Sequence, residues 1–125
     1  MEKQQEKTKS IIKYRAFYFS LNIIDLLELL PKNYVYEVLG KQLLRASTSI
    51  GANVIEAQAG SSKKDFTNYY HIALKSANET KYWLAILREK IIDDITKNKV
   101  NELLVESNEL SKMLGSSILT LKGKR

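Results

Sequence analysis

Residues 42–79 read QLLRASTSIGANVIEAQAGSSKKDFTNYYHIALKSANE, and the first half of this stretch decides the fold. On a helical projection Leu39, Leu43, Ala46, Ile50, Val54 and Ala57 share one narrow stripe, the signature of a helix packed into a bundle core. A second stripe of Leu44, Ser47, Gly51 and Ile55 is expected to leave little of this helix facing water. Arg45, Ser49, Asn53 and Glu56, with Ala52 among them, fall within an arc of about 80° between those stripes. This polar seam is expected to be buried. Arg45 then needs a carboxylate, Glu79 or Glu56, since removing one partner of a buried ion pair costs about 3–5 kcal/mol.

Helix signals continue on both sides. Ile12, Ala16, Phe19, Ile23, Leu26 and Leu30 form a core stripe over about Thr8 to Leu30, widened by Ile24 and Leu27, with Tyr14, Asn22, Asp25 and Glu28 off it. Pro31 ends that helix, having no N–H to donate and disfavouring helical geometry before it. The second helix starts between Tyr34 and Lys41 and ends near Ala59-Gly60, where the glycine is expected to take a left-handed cap. The third opens with Ser62 as cap and Asp65 in its first turn. It carries Phe66, Tyr70, Ala73, Ala77, Thr80, Leu84, Leu87 and Ile91 inward. Ile72, Ser76, Glu79, Trp83 and Ile86 form its flank, and Lys75, Asn78 and Tyr82 its solvated side. The fourth, capped by Thr96, packs through Val100, Leu103, Leu104, Ser107, Leu110, Ser111, Leu114, Ile118 and Leu121. Helices are expected near 8–30, 36–59, 62–91 and 97–121, with no strands. Short connectors make this an all-α, antiparallel up-down-up-down four-helix bundle.

With 125 residues, 44% of them hydrophobic, the chain is expected to be one domain spanning 1–125, able to bury roughly two-thirds of its unfolded surface. It contains no Cys, hence neither disulfides nor thiolate metal sites. The opening MEKQQEKTKS has no apolar core of a secretory signal, and no apolar run reaches the length of a membrane span, so a cytoplasmic protein is expected. The net charge of +6 is unevenly placed. Residues 1–20 hold five basic and two acidic side chains, residues 122–125 hold Lys122, Lys124 and Arg125, and the rest carries 12 of each sign. Basic tails at 1–7 and 122–125 are therefore expected to share one pole of the bundle. Lys7, Lys9, Lys13, Arg15, Lys122, Lys124 and Arg125 are candidate contacts for nucleic-acid phosphates, with a merely solubilising role as the alternative.

One pattern goes beyond architecture. R-A-S-x-S-I-x-x-N-x-x-E is followed by S-x-K-[DE]-F and then I-A-x-x-S-x-x-E. It comprises Arg45, Ala46, Ser47, Ser49, Ile50, Asn53, Glu56, Ser62, Lys64, Asp65, Phe66, Ile72, Ala73, Ser76 and Glu79. The combination resembles the four-helix-bundle family of 23S rRNA intervening-sequence proteins, with departures at Ala57, Gly60 and Lys75, where that family tends to have Gly, Arg and Gly. The resemblance implies a homopentamer without established enzymatic activity, encoded in some bacteria within ribosomal RNA genes. It also implies kinship with the pentameric accessory protein of diversity-generating retroelements, which binds a reverse transcriptase and nucleic acid. RNA and a reverse transcriptase-type protein are thus the implied partners besides the chain itself.

No catalytic constellation, cofactor or metal is expected. The one histidine, His71, has no acidic or His neighbour three or four residues away, and Asn68 stands where a di-iron bundle would place Glu. Ser47 and Ser49 have no base to activate them. Arg45, Ser49, Asn53, Glu56, Ser76 and Glu79 are read as a structural polar network in which Arg and Glu fix helix register. The alternative is a small-ligand-binding or catalytic bundle in which the same seam opens to solvent.

Overall fold

Four helices, α1 (Glu2–Leu29), α2 (Tyr34–Ala59), α3 (Lys63–Lys90) and α4 (Asp94–Gly123), make up the computed structural model. It describes residues 2–60 and 62–123, with side chains at Lys7, Lys9 and from Ile11 onward. Among the described residues there is no strand. α1 starts six residues before the expected Thr8, because Glu, Lys and Gln are strong helix formers and nothing in this segment stops the helix from growing past its apolar stripe. Glu2–Lys7 is therefore helix and not a tail.

The caps show which local signals were decisive. Asn33 starts α2, its Oδ1 accepting the Tyr36 N–H at 3.1 Å, and Ser62 starts α3, its Oγ accepting from Asp65 N at 3.0 Å. At α4 the expected cap is displaced by three residues. Asp93 Oδ2 accepts from Thr96 N at 2.8 Å and from Thr96 Oγ1 at 2.6 Å, so Thr96 sits buried inside the first turn. These bonds hold the Asp93 carboxyl below its usual range, so its contribution to stability is present above an ordinary carboxylate pKa and lost as acid protonates it. Gly60 has φ −68°, not a left-handed conformation. A Cβ there would lie 3.2 Å from the Ala57 carbonyl oxygen and 3.6 Å from Asp65 Cβ, so the glycine serves the close turn of chain from α2 into α3.

Each helix packs on the two beside it, α1 and α4 closing the circuit. Along α1 and α2, Leu27 lies by Gly40, Ala16 by Gly51, and the Lys9 carbonyl by Gln58. The core holds every α1 stripe residue, Leu43, Ala46, Ile50, Val54 and Ala57 of α2, the whole α3 stripe, and most of the α4 stripe. Each fully buried Leu, Ile or Phe contributes roughly 1.5–3 kcal/mol. Two buried hydroxyls are satisfied by backbone carbonyls: Thr80 donates to Ser76 O at 2.7 Å, and Ser107 crosses from α4 to Ala77 O at 3.1 Å. Two expectations fail. Ile24 is exposed and does not widen the core stripe, and the second stripe of α2 surfaces at Leu44 and Ile55.

Tyr70 is fully buried against Phe66, with ring centroids 4.3 Å apart. Among the described residues its hydroxyl has no hydrogen-bond partner of good geometry, the nearby Gln58 amide donating to the Lys9 carbonyl at 2.9 Å. Burial accordingly pushes its pKa up. Tyr70→Phe removes an unpaired hydroxyl at constant shape and should raise stability by about 1 kcal/mol, measured by urea unfolding. A loss of similar size would show that the hydroxyl is paired after all.

Candidate functional site

The polar seam lies in the outer groove between α2 and α3. Arg45 Nη2 donates to Glu79 Oε2 and, at 2.9 Å, to Gln42 Oε1. Trp83 Nε1 donates to the same Glu79 oxygen at 3.0 Å. One turn along, Ser76 Oγ donates to Ser49 Oγ at 2.9 Å, which also accepts from Asn53 Nδ2 at 3.0 Å. Five of the six network residues therefore meet across two helices. Glu56 does not join them: it is exposed and makes no side-chain hydrogen bond among the described residues. The expected burial is also corrected. The Arg45 side chain is 58% exposed and that of Glu79 38%, because the groove is open on the side away from the core.

Donation from Trp83 and from Arg45 holds the Glu79 carboxyl below its usual range. His71 is half-buried, and Ser47 Oγ donates to its own helix at Leu44 O, 3.2 Å away. No group of three or more His, Cys, Asp and Glu suited to a metal occurs among the described residues.

The basic candidates part company. Arg15 is turned sideways onto α4, where its Nε donates to Glu106 Oε2 at 2.9 Å and its Nη1 approaches Met113 Sδ at 3.5 Å. Glu106 pushes the Arg15 pKa further up, so this cation is committed to holding α1 against α4. Lys9 Nζ sits 4.7 Å from the Phe66 ring centroid, Lys13 Nζ 5.8 Å from that of Tyr14, and Lys7 and Lys122 are exposed. Lys124 and Arg125 lie outside the described residues.

Two features escaped the sequence reading. Lys63 and Lys64 line a cleft of about 410 Å³ together with Thr67, Asn68, Leu121 and Lys122, at the end of the bundle that also holds Lys9. Their signal in the sequence is the adjacent pair Lys63-Lys64 at the start of α3. The second is the outer face of α1, where Tyr14, Phe17, Tyr18, Leu21 and Ile24 are exposed beside Leu44 and Ile55 of α2. The alternation of apolar residues on both sides of α1 was the available sign. At the opposite end, the α1–α2 connector walls an open cleft of about 570 Å³ over Leu27, Tyr36 and Gly40.

Residues 8–116 match the sequence model of the 23S rRNA-intervening sequence proteins. The chain belongs to this family. It is also similar to the crystal structure of a Bacteroides thetaiotaomicron protein of unknown function from the S23 ribosomal protein family. That likeness has a TM-score of 0.78 and 36% identity, covering 89% of this chain and 97% of the other. No curated protein matches the chain. The family match takes in the whole seam, the Arg15–Glu106 strut and the α3 side of the basic cleft, and stops before Leu121 and Lys122. No helix of the described residues is long and apolar enough to cross a membrane.

Because the Arg45–Glu79 pair is exposed in the single bundle, Arg45→Ala should cost no more than about 1 kcal/mol at neutral pH. The difference between variants should hold above roughly pH 5 and fade as pH falls through the depressed Glu79 pKa, where the carboxylate is neutralised. Urea unfolding at pH 7 and pH 3 checks both statements. A loss of about 3–5 kcal/mol at pH 7 would mean that water is kept from the pair by another molecule.

Proposed function

We propose that this intervening-sequence family protein is a non-catalytic accessory scaffold, a cyclic homopentamer of antiparallel up-down-up-down bundles that binds RNA at one pole. The observation that carries the reading is the separation of two surfaces on a single small bundle. One is apolar and aromatic, the outer face of α1 with the adjoining edge of α2. The other is cationic, gathered where α1 and α3 begin and α4 ends.

The opposed order of the pairs Leu27·Gly40, Ala16·Gly51 and Lys9·Gln58 supports the antiparallel arrangement of α1 and α2. Tyr14, Phe17 and Tyr18 each leave more than half of their surface in water, a cost that a second subunit removes. Tyr is suited to such a face because its ring is apolar and its hydroxyl stays wet at the rim. The pentameric number comes from the family likeness, and a cyclic arrangement of parallel subunits would bring five basic poles to one side of a ring. Five of the six seam residues pair among themselves or with Gln42 and Trp83, which supports a structural network over a ligand pocket. A reverse transcriptase-type protein would be a partner of the same ring.

In solution, light scattering after size exclusion should give five times the 14.3 kDa chain mass. A 14.3 kDa species at micromolar concentration would refute assembly. RNA binding should show little sequence preference and weaken steeply with salt, since phosphates and not bases are contacted. Absence of binding at low salt in a gel-shift titration would remove RNA from the proposal.

A further inference from the structure

We propose that the cleft between the first turns of α3 and the last turn of α4 is the seat of RNA phosphates, with Lys63, Lys64 and Lys122 as its cations. This rests on the RNA-binding reading above and names the residues that carry it.

Three features mark this cleft as a cationic site. Among the described residues it is lined by three ammonium groups and no carboxylate, although acidic residues are as common as basic ones over the body of the chain. The nearest acid in sequence, Asp65, is turned toward α2, its Cβ 3.6 Å from where a Cβ on Gly60 would stand. Among the described residues none of the three lysines forms an ion pair, so the cleft gathers three unpaired ammonium groups in one place.

The cleft also supplies neutral hydrogen-bonding groups. The exposed Asn68 amide has no partner among the described residues and can donate to a phosphate oxygen. Thr67 Oγ1 donates to Lys63 O at 2.9 Å, which fixes the hydroxyl on the cleft wall. Lys63 and Lys64 occupy the first turn of α3, where a helix end carries partial positive charge and disfavours cations. An anion in the cleft relieves that repulsion and meets three ammonium groups at once. No aromatic ring lines it, so bases have nothing to stack on and the contact reads backbone, not sequence. Its volume of about 410 Å³ and its open mouth suit a strand passing across better than an enclosed small ligand.

The test is anisotropy of a fluorescein-labelled single-stranded RNA of mixed sequence, titrated with full-length wild type, with a Lys63→Ala/Lys64→Ala/Lys122→Ala variant, and with a Lys32→Ala/Lys41→Ala/Lys90→Ala variant. The last removes equal charge from the opposite end of the bundle and serves, with circular dichroism and mass, as the control for folding and net charge. The cleft variant should lose at least about tenfold in affinity, and its log–log salt slope should shrink by roughly 2, the share of three phosphate contacts on a single strand. The control variant should keep the wild-type slope. Equal affinity of the cleft variant and wild type would overturn the cleft assignment while leaving RNA binding intact. Absence of RNA binding by wild type would overturn both. Inorganic phosphate, added at constant ionic strength, should not displace the RNA; displacement would reassign the cleft to a small phosphorylated ligand.

Discussion

The bundle depends on α2 being approached closely from two sides at once. On one flank Gly51 faces Ala16, with room for a Cβ in ordinary contact with the alanine methyl at 3.5 Å and for nothing larger. On the other, Ser49 and Ser76 are small enough for their hydroxyls to touch directly at 2.9 Å. Residues larger than alanine at Gly51, or larger than serine at Ser49 and Ser76, would push α1 or α3 outward and open the core beneath, forfeiting dispersion contacts around Ile50 and Val54. The long side chains Arg45, Glu79 and Trp83 then close over the α2–α3 groove from outside. Their hydrogen bonds fix register but, being half in water, supply little net stability.

α4 is held by different means. Its joint with α3 is made by hydroxyls, Ser107 to a carbonyl and Ser111 toward Asn78 at 3.4 Å, and its joint with α1 by the bidentate Arg15–Glu106 pair. A guanidinium in such a fork fixes orientation as well as distance. The commitment of Arg15 to this strut explains why a basic count over residues 1–20 overstates what is available to a partner.

Core membership was legible because burial follows period, and period is written in a single sequence: Ile12, Phe19, Leu43, Tyr70, Leu84 and Leu110 are all where their spacing puts them. Angular position, however, says nothing about distance from the bundle axis. Arg45 and Glu56 share an arc with Asn53, yet Asn53 is half-buried against Ser49, Arg45 reaches Glu79 from the wet rim, and Glu56 stays in water, since the groove widens outward. The same limit hid the fate of Leu44 and Ile55. The Arg15–Glu106 contact spans 91 residues and had no local trace. The α4 cap was misplaced for a subtler reason: Asp93 and Thr96 are both good caps, and only the path of the chain out of α3 determines which one stands at the helix mouth.

The hydrogen bond from the Trp83 indole to Glu79 gives the molecule an optical character of its own. Trp83 is the sole tryptophan, so all indole emission of the chain originates beside the Arg45–Glu79 pair. The partly buried ring packs against the core and its N–H meets Glu79 in the groove, so the wavelength of that emission registers how much water reaches the α2–α3 surface. Any molecule that settles over this groove, and any acid that neutralises the carboxylate, changes the colour of one chromophore without a label being attached.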